Sequence, residues 1–424
     1  MSTRTRAAVA LCVCVGLADA RALHAAAAPV REVRLVWHLE TAEGQVLEAS
    51  GSDEPINPAS VVKTATSLRA LATLGPAYRF ETCFRVTGAL DPSRGLLEGD
   101  LVVEGGGDPD FHVENAFLVA AQLNRAGVRR VSGALAVDAR FWTGWEGGSE
   151  GTIQDPARRA EQMAARLRRA FDPTRWDRGT HRAWHARARA LELDPARPPQ
   201  VVVARTAFAA AARSGEVLVT HRSNPLAMLL RRFNAYSNND IERLDTVLGP
   251  SATLAPWLAS RLGVSADALR FDTTSGLGTN RMTPRLVVAL LRDLARELAR
   301  QGLAPDEVLS VAGCDRGTVA RLYPAVSRTP GVLVGKTGTL THTDGGVSVL
   351  GGVLRTARGD LTFCVAAPGV AGRIDAARRA TERWVLDRLS LYGARVGQPC
   401  APPPVGPADH VEVVLASAQL SAPG

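Results

Sequence analysis

VLVGKTGTL, residues 332–340, contains one of only two lysines in a chain of 424 residues. The other lies in PASVVKTATS, residues 58–67, and the remaining 48 of the 50 basic residues are arginine. The first stretch reads as a β-strand, an apolar run followed by Lys336, Thr337, Gly338 and Thr339, with branched side chains that suit a pleated surface. The second reads as the start of a helix. Apolar residues from Val61 to Leu74 fall at helical spacing, and Gly75-Pro76 stops the run. A strand near one end of the chain and a helix near the other each hold a residue type that the chain otherwise avoids.

Chemistry supplies a reason. Ser60 and Lys63 are three residues apart, so on a helix they share a face one turn apart. Asn57-Pro58 favours an extended lead-in, which places Ser60 in the first turn. A serine hydroxyl becomes an effective nucleophile only when a base takes its proton. Lysine can be that base once burial or a second cation lowers its pKa, whereas an arginine guanidinium stays protonated. On the strand, a compact ammonium at Lys336 with the hydroxyls of Thr337 and Thr339 makes a pocket for a carboxylate, and Gly338 would let a substrate backbone lie close. Between the two lysines, NAYSNNDIE (residues 234–242) offers Ser237-Asn238-Asn239, which alone could be no more than a helix cap.

The rest of the chain supports a mixed α+β reading. Strands are expected at 31–50 (a pair turning at Gly44), 81–86, 100–105, 131–138, 200–208 and 216–222, and again near 332–340, 346–355 and 361–367. Helices are expected at 60–74, 225–235, 252–262, 284–302 and 374–392. N-terminal and C-terminal strands would meet in one sheet with helices around it, and a smaller region is inserted between them. The expected boundaries are 29–99 and 222–395 for the two parts of the main body, 100–221 for the insertion and 396–424 for a loose tail containing PCAPPPVGP. Residues 1–28 have the layout of a secretory signal peptide: Arg4 and Arg6, an apolar run from Ala7 to Ala18, then Ala18-Asp19-Ala20. Its removal would leave Cys83, Cys314, Cys364 and Cys400, which permit three pairings into two bridges, or fewer bridges.

SxxK, SxN and KTG occur together in serine enzymes that acylate on the first motif. The surrounding text narrows this further: NPASVVKTATSLRALATLGPAYRF (57–80), GLLEGDLVVEGGGDPDF (95–111), SGLGTNRMTP (275–284), VAGCDRGTV (311–319) and GKTGTL (335–340). In that order they resemble the D-alanyl-D-alanine carboxypeptidase/endopeptidase family, the low-molecular-mass class C penicillin-binding proteins. The resemblance covers roughly residues 31–140 and 220–390 and implies a transpeptidase/β-lactamase-like mixed sheet with flanking helices, interrupted by the insertion. It further implies Ser60 as the acylated nucleophile, Lys63 as its base, Ser237 as proton relay to the leaving amine and Asn239 as a contact to the substrate amide. Lys336 would support the relay, and Thr337, Gly338 and Thr339 would bind the substrate end, with the backbone N–H groups of Ser60 and Thr339 as oxyanion donors. No metal or cofactor is implied. The implied partners are peptidoglycan stem peptides, with β-lactams as inhibitors, and the implied location is the periplasm or cell envelope, without a stable membrane anchor once the signal is cleaved.

Departures from the family pattern are visible too. Asn238 fills the variable middle of the triplet, SGLGTNRMTP is one residue short, Thr273 stands where an acidic residue is common, and 140–215 does not match. Two other classes stay open. A serine β-lactamase of class A type would need a deacylating glutamate after the triplet, and none occurs between Glu242 and Glu297. A retired, wall-binding protein would have lost a motif, and all three are intact. The net charge of +8 does not point to nucleic acid, since the densest arginine run (155–171) alternates with Ala and Leu as a solvated helix face does. HRAWH at 181–185 has helical spacing for two metal ligands but neither the HExxH glutamate nor a third ligand.

Overall fold

The computed structural model describes residues 32–145, 153, 155–210, 215–397 and 399–416. The expected signal peptide, with Cys12 and Cys14, lies outside them. In chain order the strands are β1 (Val36–Thr41), β2 (Val46–Ser50), β3 (Glu81–Asp91), β4 (Leu96–Glu104), β5 (Arg130–Val137), β6 (Val202–Phe208), β7 (Glu216–Arg222), β8 (Ser310–Val311), β9 (Leu333–Leu340), β10 (Val347–Thr356), β11 (Gly359–Pro368) and β12 (Glu412–Leu415). The helices are α1 (Val62–Leu74), α2 (Val113–Arg125), α3 (Pro156–Phe171), α4 (Arg178–Ala190), α5 (Leu226–Tyr236), α6 (Asp245–Leu248), α7 (Leu254–Leu262), α8 (Pro284–Arg300), α9 (Thr318–Leu322) and α10 (Ile374–Tyr392).

The N-terminal and C-terminal strands do meet. The first sheet has the order β2-β1-β11-β10-β9-β8, with Leu39 opposite Phe363 and Thr337 opposite Leu350. All its pairings are antiparallel. Successive residues of a strand face opposite sides, and β11 uses both. Cys364 and Ala366 join the core formed with α1, α5, α7 and α8, while Phe363 and Val365 pack against Trp384, Val385 and Leu389 of α10. The strands in the middle of this sheet are therefore covered twice and read as continuous apolar runs. β8 has only two residues and pairs with Val334 and Gly335, so among the described residues the outer edge of β9 carries no strand from Lys336 onward.

The second sheet has the order β12-β7-β3-β4-β5-β6 and holds the parallel pairs, β4 with β5 and β5 with β6. A parallel pair cannot be closed by a tight turn. α2 makes the first crossover, and α3 with α4 the second. α2 was not anticipated from the sequence.

Two expected boundaries are corrected by the pairing. The main body was expected to run to residue 99, but β3 pairs with both β4 and β7, so the change of sheet falls between α1 and Glu81. The described part of the tail, up to residue 416, is not loose. Glu412–Leu415 adds an edge strand to β7, and Cys400 is disulfide-bonded to Cys314. His410 donates its backbone N–H to Asn224 Oδ1 at 2.8 Å, and Asn224 Nδ2 donates to Gly406 O at 2.9 Å. The proline-rich stretch hides this because proline signals irregular backbone but says nothing about what that backbone leads to. Cys83 and Cys364 are free thiols. No described helix is long and apolar enough to cross a membrane.

Candidate active site

The turn before α1 is under local constraint. Ala59 has φ 48°, a left-handed value that a non-glycine residue adopts at a cost. Three features hold it there. Ala59 N–H donates to Asn57 Oδ1 at 3.0 Å, and Asn57 Nδ2 donates to Gly278 O at 3.0 Å. The third is Gly276 (φ +88°), where a Cβ would stand 1.9 Å from Ala59 O. The result is that Ser60 sits in a 3-10 turn, Ala59–Val61, that leads directly into α1, and its side chain stays partly accessible.

Lys63, one turn on, is fully buried. Its Nζ donates to Ser60 Oγ at 3.1 Å, to Asn239 Oδ1 at 2.8 Å and to Ser275 O at 2.8 Å. Loss of water drives its pKa down to about 7, against the opposing pull of Glu242. An amine at that value can accept a proton from the hydroxyl it touches near neutral pH, which an arginine in its place could not.

The second lysine is arranged alike. Lys336 on β9 is fully buried, with Nζ 2.9 Å from Ser237 Oγ and 2.8 Å from Thr337 O. Burial first, and the charge of Lys63 second, push its pKa well below the ordinary lysine value. Two ammonium groups this close and this dry disfavour simultaneous charging. Ser237 is the C-cap of α5 and is itself left-handed (φ 56°, ψ 40°), which turns the chain out of the helix between the two lysines. Asn238, the variable middle residue, caps the next turn, since its Oδ1 accepts from Asp240 N–H at 2.9 Å.

The structure thus gathers these residues into two hydrogen-bonded sets, Ser60 and Asn239 on Lys63 and Ser237 on Lys336. Thr337 and Thr339 lie on the opposite face of β9 from Lys336. Thr337 Oγ1 donates to Thr318 Oγ1 at 2.8 Å, and Thr339 is half-buried. At Gly338 the chain itself makes a close approach. A Cβ there would lie 2.5 Å from Pro58 O and 3.3 Å from Ser60 N, so it is the Ser60 turn that approaches the strand. The arrangement can activate one hydroxyl with a buried amine, hold a second hydroxyl against a second buried amine, and offer strand-edge hydrogen bonds to an extended chain.

Sequence reasoning assigned no role to Ser275, whose carbonyl holds Lys63, or to Thr318. The signal for the first was present: Gly276 and Gly278 bracket a turn, and both have positive φ. It also missed how the inserted sheet reaches the site. GGGDPDF (105–111), quoted above only as part of the family resemblance, lies against the SxN loop. Arg243 donates to Pro109 O at 3.1 Å and to Gly144 O at 2.9 Å, and pairs with Asp240 at 2.9 Å. Arg232 on α5 reaches Asp110 at 3.2 Å. A pocket of about 310 Å³ beside this seam is lined by Trp145, Arg232, Tyr236 and the Ser237-Asn238-Asn239 triplet. His181 packs its ring against Trp176 with centroids 5.3 Å apart, and no described group of three or more His, Cys, Asp or Glu side chains is placed to hold a metal ion.

Comparison with known proteins agrees with this geometry. A curated D-alanyl-D-alanine carboxypeptidase from Actinomadura sp. (strain R39) is 35% identical over 100 residues, 24% of this chain and only 18% of that protein's own length. Among solved structures, Bd3459, a predatory peptidoglycan endopeptidase from Bdellovibrio bacteriovorus, superposes with TM-score 0.75 at 21% identity, over 91% of this chain and 100% of that one. Penicillin binding protein 4 (dacB) from Haemophilus influenzae gives TM-score 0.57 at 17% identity, over 84% of this chain and 97% of that one. At such identities the two structures speak for the fold. The model of the D-Ala-D-Ala carboxypeptidase 3 (S13) family matches residues 25–158 and 198–389, well over half the chain and all three motifs, and this protein belongs to that family.

Proposed function

We propose that the protein is an exported serine DD-peptidase that cleaves the amide following a D-alanyl residue in peptidoglycan stem peptides and is acylated by β-lactams. The observation that carries this reading is the fully buried Lys63, whose Nζ touches both Ser60 Oγ and Asn239 Oδ1. In the proposed reaction Ser60 Oγ attacks the D-alanyl carbonyl carbon and its proton passes to Lys63 Nζ. Charge that develops on the carbonyl oxygen is met by the backbone N–H groups of Ser60 and Thr339, preplaced donors of the kind that contribute most to acyl transfer. Asn239, whose Oδ1 is held by Lys63, offers Nδ2 to the acyl-side amide. Ser237, bonded to Lys336, hands its proton to the leaving nitrogen as the C–N bond breaks, and the proton that Lys63 took from Ser60 replaces it, which leaves Lys63 a neutral amine. Water then attacks the ester on Ser60, Lys63 takes its proton and returns it to Ser60 Oγ as the acyl–oxygen bond breaks, and the acid product leaves. This chemistry is complete with the side chains named.

Export is supported by the layout of residues 1–28 and by a substrate that lies outside the cytoplasmic membrane. The decisive experiment is the intact mass of the purified protein after brief exposure to benzylpenicillin, alongside a Ser60→Ala control. A one-equivalent adduct in the wild type alone is expected, with release of D-alanine from a D-Ala-D-Ala peptide by the same preparation. An unmodified wild type would remove the proposal.

A further inference from the structure

The carboxylate pocket on β9 has a neighbour that no motif names. Thr337 and Thr339 face away from Ser60, toward the side of the sheet covered by α10. From the first turns of that helix Arg378 extends back over the strand, and its Nη2 lies 3.4 Å from Thr339 Oγ1. Its other contacts leave the guanidinium under-used. Nη1 donates to Asp375 at 3.1 Å, a carboxylate on the same helix that is 81% exposed and therefore screened by water. Nε is buried without a hydrogen-bond partner among the described residues. A guanidinium has five donors in a planar fork and is suited to a carboxylate more than to a single hydroxyl. Arg378 itself is largely buried, with 23% of its side chain exposed, so a charge that reaches it meets little competing solvent.

We propose that Arg378 completes the receptor for a free carboxylate on the leaving amino acid, together with the Thr337 and Thr339 hydroxyls. The inference rests on the DD-peptidase reading above and sharpens its substrate class. The amine expelled from D-Ala-D-Ala has a carboxylate on the carbon next to nitrogen. A cross-link whose amine stands beside a carboxylate keeps that relation, and so does the ring carboxylate of a penicillin. A cross-link through an ordinary ε-amine, or one with an amidated carboxyl, lacks it. Arg378 therefore selects by the charge next to the scissile nitrogen, not by whether the bond is terminal or a cross-link. It is a specificity residue and takes no part in the proton transfers.

The test compares acylation rates for benzylpenicillin and its methyl ester, followed by intact mass, in wild type, Arg378→Gln and Arg378→Lys. The wild type is expected to prefer the free acid. Arg378→Gln should slow the acid by roughly 30-fold, the scale of one hydrogen bond to a charged group, while leaving the ester within about twofold, well below the effect of one such bond. Arg378→Lys should recover part of the preference. Equal slowing of acid and ester would assign Arg378 a structural role and overturn the inference, as would no change in either. A wild type labelled by neither compound would instead bring down the DD-peptidase reading itself, and the inference with it.

Discussion

The two sheets use cations in opposite ways. In the antiparallel sheet and the helices on it, Lys63 and Lys336 are sunk to zero exposure, their charge is made costly by burial, and each is aimed at a serine hydroxyl. In the second region α4 holds Arg178, Arg182 and Arg189 on its exposed side, where water screens them. In the proposed reaction the same formal charge is a reagent in one place, and it is a solubilising coat in the other. The net charge of the chain could not have told these apart, because burial and a hydroxyl partner are what separate them.

The sharpest way to break the comparison is to remove the reagent. Ser60→Ala should abolish the penicillin adduct altogether. Lys63→Met should lower the acylation rate by about 10³-fold, within the range that a general base supplies, and intact mass with time would show it. A variant that still acylates at the wild-type rate would mean another group takes the Ser60 proton. Lys63→Met also sharpens the burial claim. In the folded protein Lys63 releases its proton near pH 7, whereas in the unfolded chain it keeps one up to the ordinary lysine value of 10.5. Between those limits the unfolded state binds more protons, so this residue makes stability rise with pH. Thermal unfolding of wild type and variant across pH 7 to 10 should show the wild type gaining on Lys63→Met as pH increases.

The next effect in size is the pH profile of acylation. Below about 7 the Lys63 amine is protonated and cannot serve as base, so the rate should fall about tenfold per pH unit in the acid direction. Above that value it should level off. A limb centred near pH 10 would place Lys63 in a wetter setting than the buried one described.

A smaller effect is expected where the two regions meet. Arg243 ties the SxN loop to Pro109 and Gly144 of the second region and packs over Trp142 with its guanidinium 4.8 Å from the ring centroid. Arg243→Ala leaves Asp240 buried without this partner, a change that costs about 3–5 kcal/mol when a buried pair is broken. Through the displaced loop, acylation should slow about tenfold, equivalent to about 1.4 kcal/mol of barrier. Unaltered acylation in a folded variant would show that the inserted sheet does not position Ser237 and Asn239.

Legibility in the sequence divided along the same line. Ser60, Lys63, Ser237 and Lys336 could be picked out because the proposed reaction restricts the residue type at each and the chain avoids lysine elsewhere. Strands β1, β9, β10 and β11 could be read because a sheet covered on both faces leaves long apolar runs. Interactions that use backbone were hidden: the Ser275 carbonyl that holds Lys63 could come from any residue, and only the two glycines after it, Gly276 and Gly278, marked a turn. β12 was hidden because an edge strand of four residues with an alternating exposed face carries almost no hydrophobic signal. The expected break at residue 99 failed for a related reason. β3 looks the same from either sheet, since strand composition does not state a pairing partner, and only the antiparallel register with β7 decides it.

The smallest predicted effect on activity tests whether the second region can be damaged without harm to the first. Trp184 on α4 is 3% exposed and packs with Phe117 and Trp176 in a small cluster of its own, and its Nε1 donates to Pro195 O at 2.8 Å. It belongs to residues 159–197, the internal stretch outside the family match. Trp184→Ala should cost about 3–5 kcal/mol of stability, as removal of a large buried aromatic does. That cluster contains none of Ser60, Lys63, Ser237, Asn239 and Lys336, so acylation by the folded fraction should stay within about twofold, or less than about 0.5 kcal/mol of barrier. Thermal unfolding and penicillin labelling on the same sample separate the two readouts. If labelling fell in step with stability, α4 would be coupled to the site, and the division into a reactive region and a supporting one would have to be given up in favour of a single cooperative body.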